Sequence, residues 1–240
     1  MSGGPPLFST WTSTAPPRQV RRVTTSRTEL LQIGIAYAVL SFCLLILLSG
    51  SSALFGTGGS GLLTVSPTIV VVAAAAALTG FVAHEMAHKI VAQRRGFWAE
   101  FRLSPMGLII ALFTAVLGLL FAAPGATIVG GIHPADRRSW GETSLAGPLA
   151  NFGFGVIFYA AALGTYLLGS TLFGSLLLLA YINAWFGTFN LIPFGALDGA
   201  KVMRWSKGIW VASIVVLGTF AVVSYLAFFV YGTPTFFQQL

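Results

Sequence analysis

Residues Thr68 to Val91 read TIVVVAAAAALTGFVAHEMAHKIV. A helix needs about 20 apolar residues to cross a bilayer, and this run reaches that length while carrying His84-Glu85-Met86-Ala87-His88 near its end. Residues four apart on a helix project from one face. His84 and His88 can therefore offer imidazole nitrogens to one zinc ion while Glu85 flanks a metal-bound water. With only three histidines and six acidic residues in the chain, random placement would produce H-E-x-x-H on the order of 10⁻³ times. A metal-binding signature thus sits inside a membrane-spanning helix.

Hydrophobic residues make up 56% of the 240 and charged residues 8%, against about 25% charged in an ordinary soluble domain. Mean hydropathy is +0.85, the composition of a polytopic membrane protein. The formal charge of +7 and pI near 10.1 do not point to nucleic acid. The basic residues fall in short clusters flanking apolar runs, as lipid-surface and orientation signals do. Cys43, the single cysteine, excludes an intrachain disulfide and reads as a small packing residue in an apolar run. Residues 1–27 are rich in Ser, Thr and Pro and hold Arg18, Arg21, Arg22 and Arg27, which predicts a disordered cytosolic tail. Basic residues ahead of Leu30 to Leu48 also fit a signal peptide, but that stretch is long enough to span and is expected to remain as a first helix. Residues 28–240 show no internal repeat and form a single membrane-embedded domain.

Further runs long enough to cross lie at Thr143 to Leu168, Thr171 to Pro193 and Ile209 to Tyr231. A sixth candidate, Leu103 to Ala123, either crosses or dips in and returns, and the basic residues choose between the two. If it crosses, Arg137, Arg138, Lys201, Arg204 and Lys207 fall outside. If it returns, all thirteen Lys and Arg lie on the cytosolic side, Lys89, Arg94, Arg95 and Arg102 included. The expected fold is therefore an all-α polytopic membrane protein of five to six transmembrane helices. A re-entrant segment would follow the H-E-x-x-H helix, bent by Pro105, Gly107, Gly118, Pro124 and Gly125.

A catalytic zinc takes three protein ligands and a water. After His88 the remaining candidates are Glu100, His133, Asp136, Glu142 and Asp198. The re-entrant topology places His84 and His88 about 10 to 15 Å below the cytosolic surface, at 1.5 Å per residue. The fourth span delivers Asn190, Pro193 and Asp198 to the same depth. Pro193 lacks an amide hydrogen and Gly195 and Gly199 relax the backbone, so the helix should break here and free Asp198 to turn inward. Asn151, inside the third span, is expected to hydrogen-bond a neighbouring helix, and His133 to sit in a cytosolic loop before Pro134.

Three stretches, H-E-M-A-H at 84 to 88, A-G-P-L-A-N at 146 to 151 and F-N-L-I-P-F-G-A-L-D-G at 189 to 199, resemble the site-2 protease family of intramembrane zinc metalloproteases, in a compact form without a PDZ or nucleotide-sensing domain. The resemblance implies one zinc held by His84, His88 and Asp198, with Glu85 as general base and acid and Asn190 as a polar contact to substrate. It also implies a re-entrant β element after the H-E-x-x-H helix. The substrate would be a transmembrane protein segment, hydrolysed in or near the membrane after local unwinding. The protein would lie in a prokaryotic cell membrane with its N-terminus and active site toward the cytosol and its C-terminus outside. Two alternatives differ in their residues. A CAAX-processing type of membrane zinc protease would take a downstream glutamate, of which only Glu100 and Glu142 exist, neither in a second E-x-x-x-D motif. A non-hydrolytic membrane chaperone or metal transporter would have no need of Glu85.

Overall fold

The structure, a computed structural model, describes residues 23–49, 66–120 and 124–237. The tail expected over 1–27 falls outside these residues up to position 22. The first span, α1 (Arg27–Ser49), is followed by α2 (Pro67–Ala77). Ser66 caps α2 by accepting the Thr68 N–H at 3.2 Å, and Pro67 occupies the first helical position, where its missing N–H has no cost. A single π turn, Leu78–Val82, joins α2 to α3 (Ala83–Arg94), so the second span runs unbroken from Pro67 to Arg94. Then come β1 (Trp98–Leu103), α4 (Pro105–Val116), β2 (Gly125–Gly130), α5 (Arg137–Leu167), α6 (Leu172–Asn190), α7 (Asp198–Trp205) and α8 (Lys207–Ala227). A second π turn, Phe228–Gly232, and the short α9 (Thr233–Phe237) follow.

Five helices among the described residues are long and apolar enough to cross a membrane: Arg27–Ser49, Pro67–Arg94, Arg137–Leu167, Leu172–Asn190 and Lys207–Phe236. This is an all-α integral membrane protein with one small sheet. The sixth apolar stretch is not a crossing helix. At 12 residues, α4 is about 18 Å long against the roughly 30 Å of a hydrocarbon core. Its two ends are tied together, because β1 and β2 pair antiparallel from Trp98↔Gly130 to Leu103↔Gly125. The chain therefore leaves and returns at the same level, as a re-entrant segment must. The strands lie at its margins, and its middle is helical. Ser104 caps α4 by accepting the Gly107 N–H at 3.1 Å.

Without water to drive helices together, close approach of small side chains does the packing. Ala73, Ala76 and Ala77 on α2 are fully buried and let α1 and α6 close in with Leu40 and Leu177. Cys43 packs against Ala111 and Ala115 of α4, the small-residue role expected of it. Phe101 of β1 meets Phe81 of the π turn edge to face, with ring centroids 5.8 Å apart. That contact docks the sheet beside the second span, just ahead of His84.

Candidate metal centre

His84 and His88 both lie on the buried face of α3. Each ring is oriented from behind. His84 Nδ1 donates to Asn151 Oδ1 at 2.6 Å, and His88 Nδ1 donates to the Thr143 carbonyl oxygen at 2.8 Å. Both acceptors come from α5, where Pro148 already removes one i→i−4 bond. Asn151 is itself fixed, since its Nδ2 donates to the Gly80 carbonyl at 2.9 Å in the π turn. With the protons held on Nδ1, both Nε2 lone pairs point to one place, as metal-ligating histidines require.

Asp198, the first residue of α7, completes the group. Its Oδ2 lies 3.2 Å from His84 Nε2 and 3.1 Å from His88 Nε2, and the two Nε2 atoms are 3.0 Å apart. Zinc with bonds of about 2.0 to 2.1 Å in tetrahedral geometry separates its ligands by about 3.3 Å. Two bare imidazole nitrogens and a carboxylate oxygen at such spacing suit a shared cation, and the three residues form a group that could hold a metal ion. Asp198 faces the two imidazoles with Oδ2. Its other oxygen, Oδ1, faces Lys201 Nζ at 3.6 Å.

Two glycines make this convergence possible. A Cβ on Gly147 would stand 2.5 Å from His88 Nε2 and 2.6 Å from His84 Nε2, so α5 can lie against the imidazoles only because position 147 has no side chain. A Cβ on Gly199 would meet the Leu191 carbonyl oxygen at 1.9 Å. The chain can fold back under the end of α6, and bring Asp198 in, only with glycine there.

Glu85 stands on the neighbouring face of α3 and is engaged by the sheet. Its Oε2 accepts the Thr127 N–H at 2.7 Å, and Thr127 Oγ1 donates to its backbone carbonyl at 2.9 Å. Asn190 is not brought to the group by any hydrogen bond; its Nδ2 donates to the Phe186 carbonyl at 3.0 Å, one turn back on its own helix. The other acidic and histidine candidates are spent elsewhere. Glu100 binds Ser26 and Arg102, Glu142 binds Arg95 and Arg138, and Asp136 caps α5 by accepting the Ser139 N–H at 3.0 Å. His133 is exposed, and its Nδ1 accepts the Ala135 N–H at 3.2 Å. Asn151 does hydrogen-bond other helices as expected, but its partner in the group, His84, was not foreseen. Neither were Thr143, Gly147 and Thr127.

A protein of Methanocaldococcus jannaschii named a putative zinc metalloprotease is 35% identical to this chain over 133 residues, which are 55% of this chain and 69% of the relative. No family model matches the chain, and no solved structure does.

Proposed function

Because the chain belongs to the zinc metalloprotease family of that archaeal relative, we propose that it is an intramembrane zinc endopeptidase of the site-2 protease type. The observation that carries the proposal is the buried group of His84, His88 and Asp198 within a bundle of five membrane-length helices. His84, His88 and Asp198 would hold the ion. Zinc, when bound, supplies a Lewis acid that polarises a peptide carbonyl and brings the pKa of a water toward about 7.

The chain's own residues supply the proton traffic. Glu85 accepts a proton from the attacking water and returns it to the leaving amine nitrogen, as the general base and acid of an H-E-x-x-H helix. The Thr127 N–H holds its carboxylate in place for both steps. Asn190 Nδ2 gives one hydrogen to the Phe186 carbonyl and would offer its second to a developing oxyanion, where a well-placed amide contributes about 3 kcal/mol.

A transmembrane helix hides its carbonyls in internal bonds, so a substrate must be drawn out to an extended strand before it is cut. The outer edge of β1 is already taken. Glu29 Oε1 accepts the Phe101 N–H at 2.9 Å, Gln32 Oε1 accepts the Leu103 N–H at 3.0 Å, and Gln93 Nε2 donates to the Ala99 carbonyl at 2.8 Å. An added strand would therefore join β2, whose outer edge carries one such bond, from the Thr127 N–H to Glu85, against three on β1. The site would face the cytosol. In support, Trp98, Trp140, Trp205 and Trp210 lie in the same stretches as Arg94, Arg95, Arg102, Arg137, Arg138, Arg204 and Lys207, the mixture that marks a cytosolic membrane interface.

The test uses purified protein in proteoliposomes with a transmembrane reporter. Glu85→Gln should keep its zinc and lose cleavage; undiminished turnover in that variant removes the base. Cleavage of a soluble peptide by the parent protein, with the embedded reporter left intact, would overturn the intramembrane part.

A further inference from the structure

A fully buried ion pair lies one helical turn beyond Glu85. Lys89, 1% exposed, pairs with Glu29, 0% exposed, and Lys89 Nζ also donates to Thr25 Oγ1 at 2.8 Å. Burying both charges is unfavourable relative to a well-packed apolar pair of similar volume, so stability alone does not account for it. The hydrogen bonds around it suggest another use. Glu29 Oε1 accepts the Phe101 N–H from the outer edge of β1, and Glu85 Oε2 accepts the Thr127 N–H from the outer edge of β2. Phe101 and Thr127 are directly opposed partners across the two strands.

Glu85 and Lys89 are four residues apart and share a face of α3. The contacts therefore close a ring: Glu85 to Thr127, across the ladder to Phe101, on to Glu29, to Lys89, and back along α3. The sheet is gripped at one cross-strand pair by two carboxylates, one borne by α3 and the other anchored to it. A two-stranded ribbon is marginal on its own, so its height against Glu85 depends on what holds its outer edges.

We infer that Glu29, anchored by Lys89, is a positioning residue: it fixes β1, and through the ladder β2, at the height where the Thr127 N–H meets the Glu85 carboxylate. The inference rests on the role proposed above for Glu85. Glu29 has no hydrogen bond or ion pair with a metal-group residue, so its effect should reach turnover without reaching the metal.

Two double variants separate positioning from general stability. Glu29→Leu/Lys89→Met removes both charges together, so that neither is left buried alone, and takes the acceptor from Phe101. Glu29→Gln/Lys89→Met removes the charges but keeps an acceptor oxygen. Both should bind one zinc per chain. In the first, the Thr127 amide should exchange with solvent about tenfold faster, the loss expected of a charge-assisted hydrogen bond, and kcat on the transmembrane reporter should fall about tenfold with KM unchanged. The second should recover most of both. An unchanged Thr127 exchange rate in the first variant, or no recovery in the second, overturns the inference. Should the first variant not fold, the parent protein decides: Phe101 and Thr127 amides exchanging at a common rate support the clamp, and rates differing more than about tenfold refute it. A parent that cleaves no reporter defeats the protease reading, and the zinc and exchange measurements still decide the clamp.

Discussion

Replacing Gly147 with alanine puts one methyl group where the metal group has no room. The new Cβ would lie 2.5 Å from His88 Nε2, 2.6 Å from His88 Cε1 and 2.6 Å from His84 Nε2, where ordinary contact begins at 3.4 Å. Both imidazoles, or the whole of α5, must then give way by about 0.9 Å, the difference between 3.4 and 2.5 Å. Metal sites tolerate ligand displacements of only about 0.2 Å. Neither ring can turn freely, because Asn151 and Thr143 hold them from behind. Zinc affinity should fall at least about 100-fold, or about 2.7 kcal/mol, although alanine favours the helix over glycine by about 1 kcal/mol.

The assay is competition between the metal-free protein and a chromophoric chelator, with helix content followed by circular dichroism. Gly153→Ala, on the same helix where a Cβ meets nothing within 4 Å, should bind zinc as the parent does. Zinc binding by Gly147→Ala at parental affinity would refute the placement of α5 against the two histidines.

Asn151→Leu removes the acceptor that orients His84, and zinc affinity in the same competition should drop about 10- to 100-fold; an unchanged affinity would mean the ring needs no such partner. Asp198→Ala should yield protein without zinc after a chelator wash, read by atomic absorption, and full stoichiometry would show that the third ligand lies elsewhere. Asn190→Ala should lower kcat about 100-fold with zinc content intact if the second amide hydrogen meets the substrate, and parental kcat would assign the side chain to the helix alone.

Those parts of the molecule that depend on neighbours in sequence were readable from the sequence. The spacing of His84 and His88 is set within one helical turn, and the five spans follow from runs of apolar length. The return of the chain after Leu103 could be inferred from the distribution of arginines, because orientation is a property of the whole chain. Asp198 came within reach through the same topology, at a separation of 114 residues from His84. The supports of the histidines were not readable. Thr143 acts through its backbone carbonyl, which any residue type would offer, across 55 positions from His88. Gly147 acts by lacking a side chain, and a glycine in an apolar helix reads equally well as loose packing. The strand alternation of Trp98 to Leu103 is only six residues long, and the expected re-entrant stretch was drawn to begin where β1 ends. Asn190 stands out in the sequence as a polar residue beside a proline break, and its place at the end of its helix was readable, while its bond to the Phe186 carbonyl one turn back was not.

The π turn at Leu78–Val82 determines how the second span can tolerate a change in length. Such a turn takes up one surplus residue locally and leaves the winding on either side in phase. Losing a residue from these five would therefore keep the histidines aimed as they are, while the Gly80 carbonyl that receives Asn151 lies inside the turn that would be rewound. A loss anywhere in Ile69 to Ala77 would instead swing the upstream half of the helix by about 100° relative to the histidines. An otherwise rigid rod thus contains one short joint at which a single deletion is survivable, and its cost would fall on the asparagine's grip.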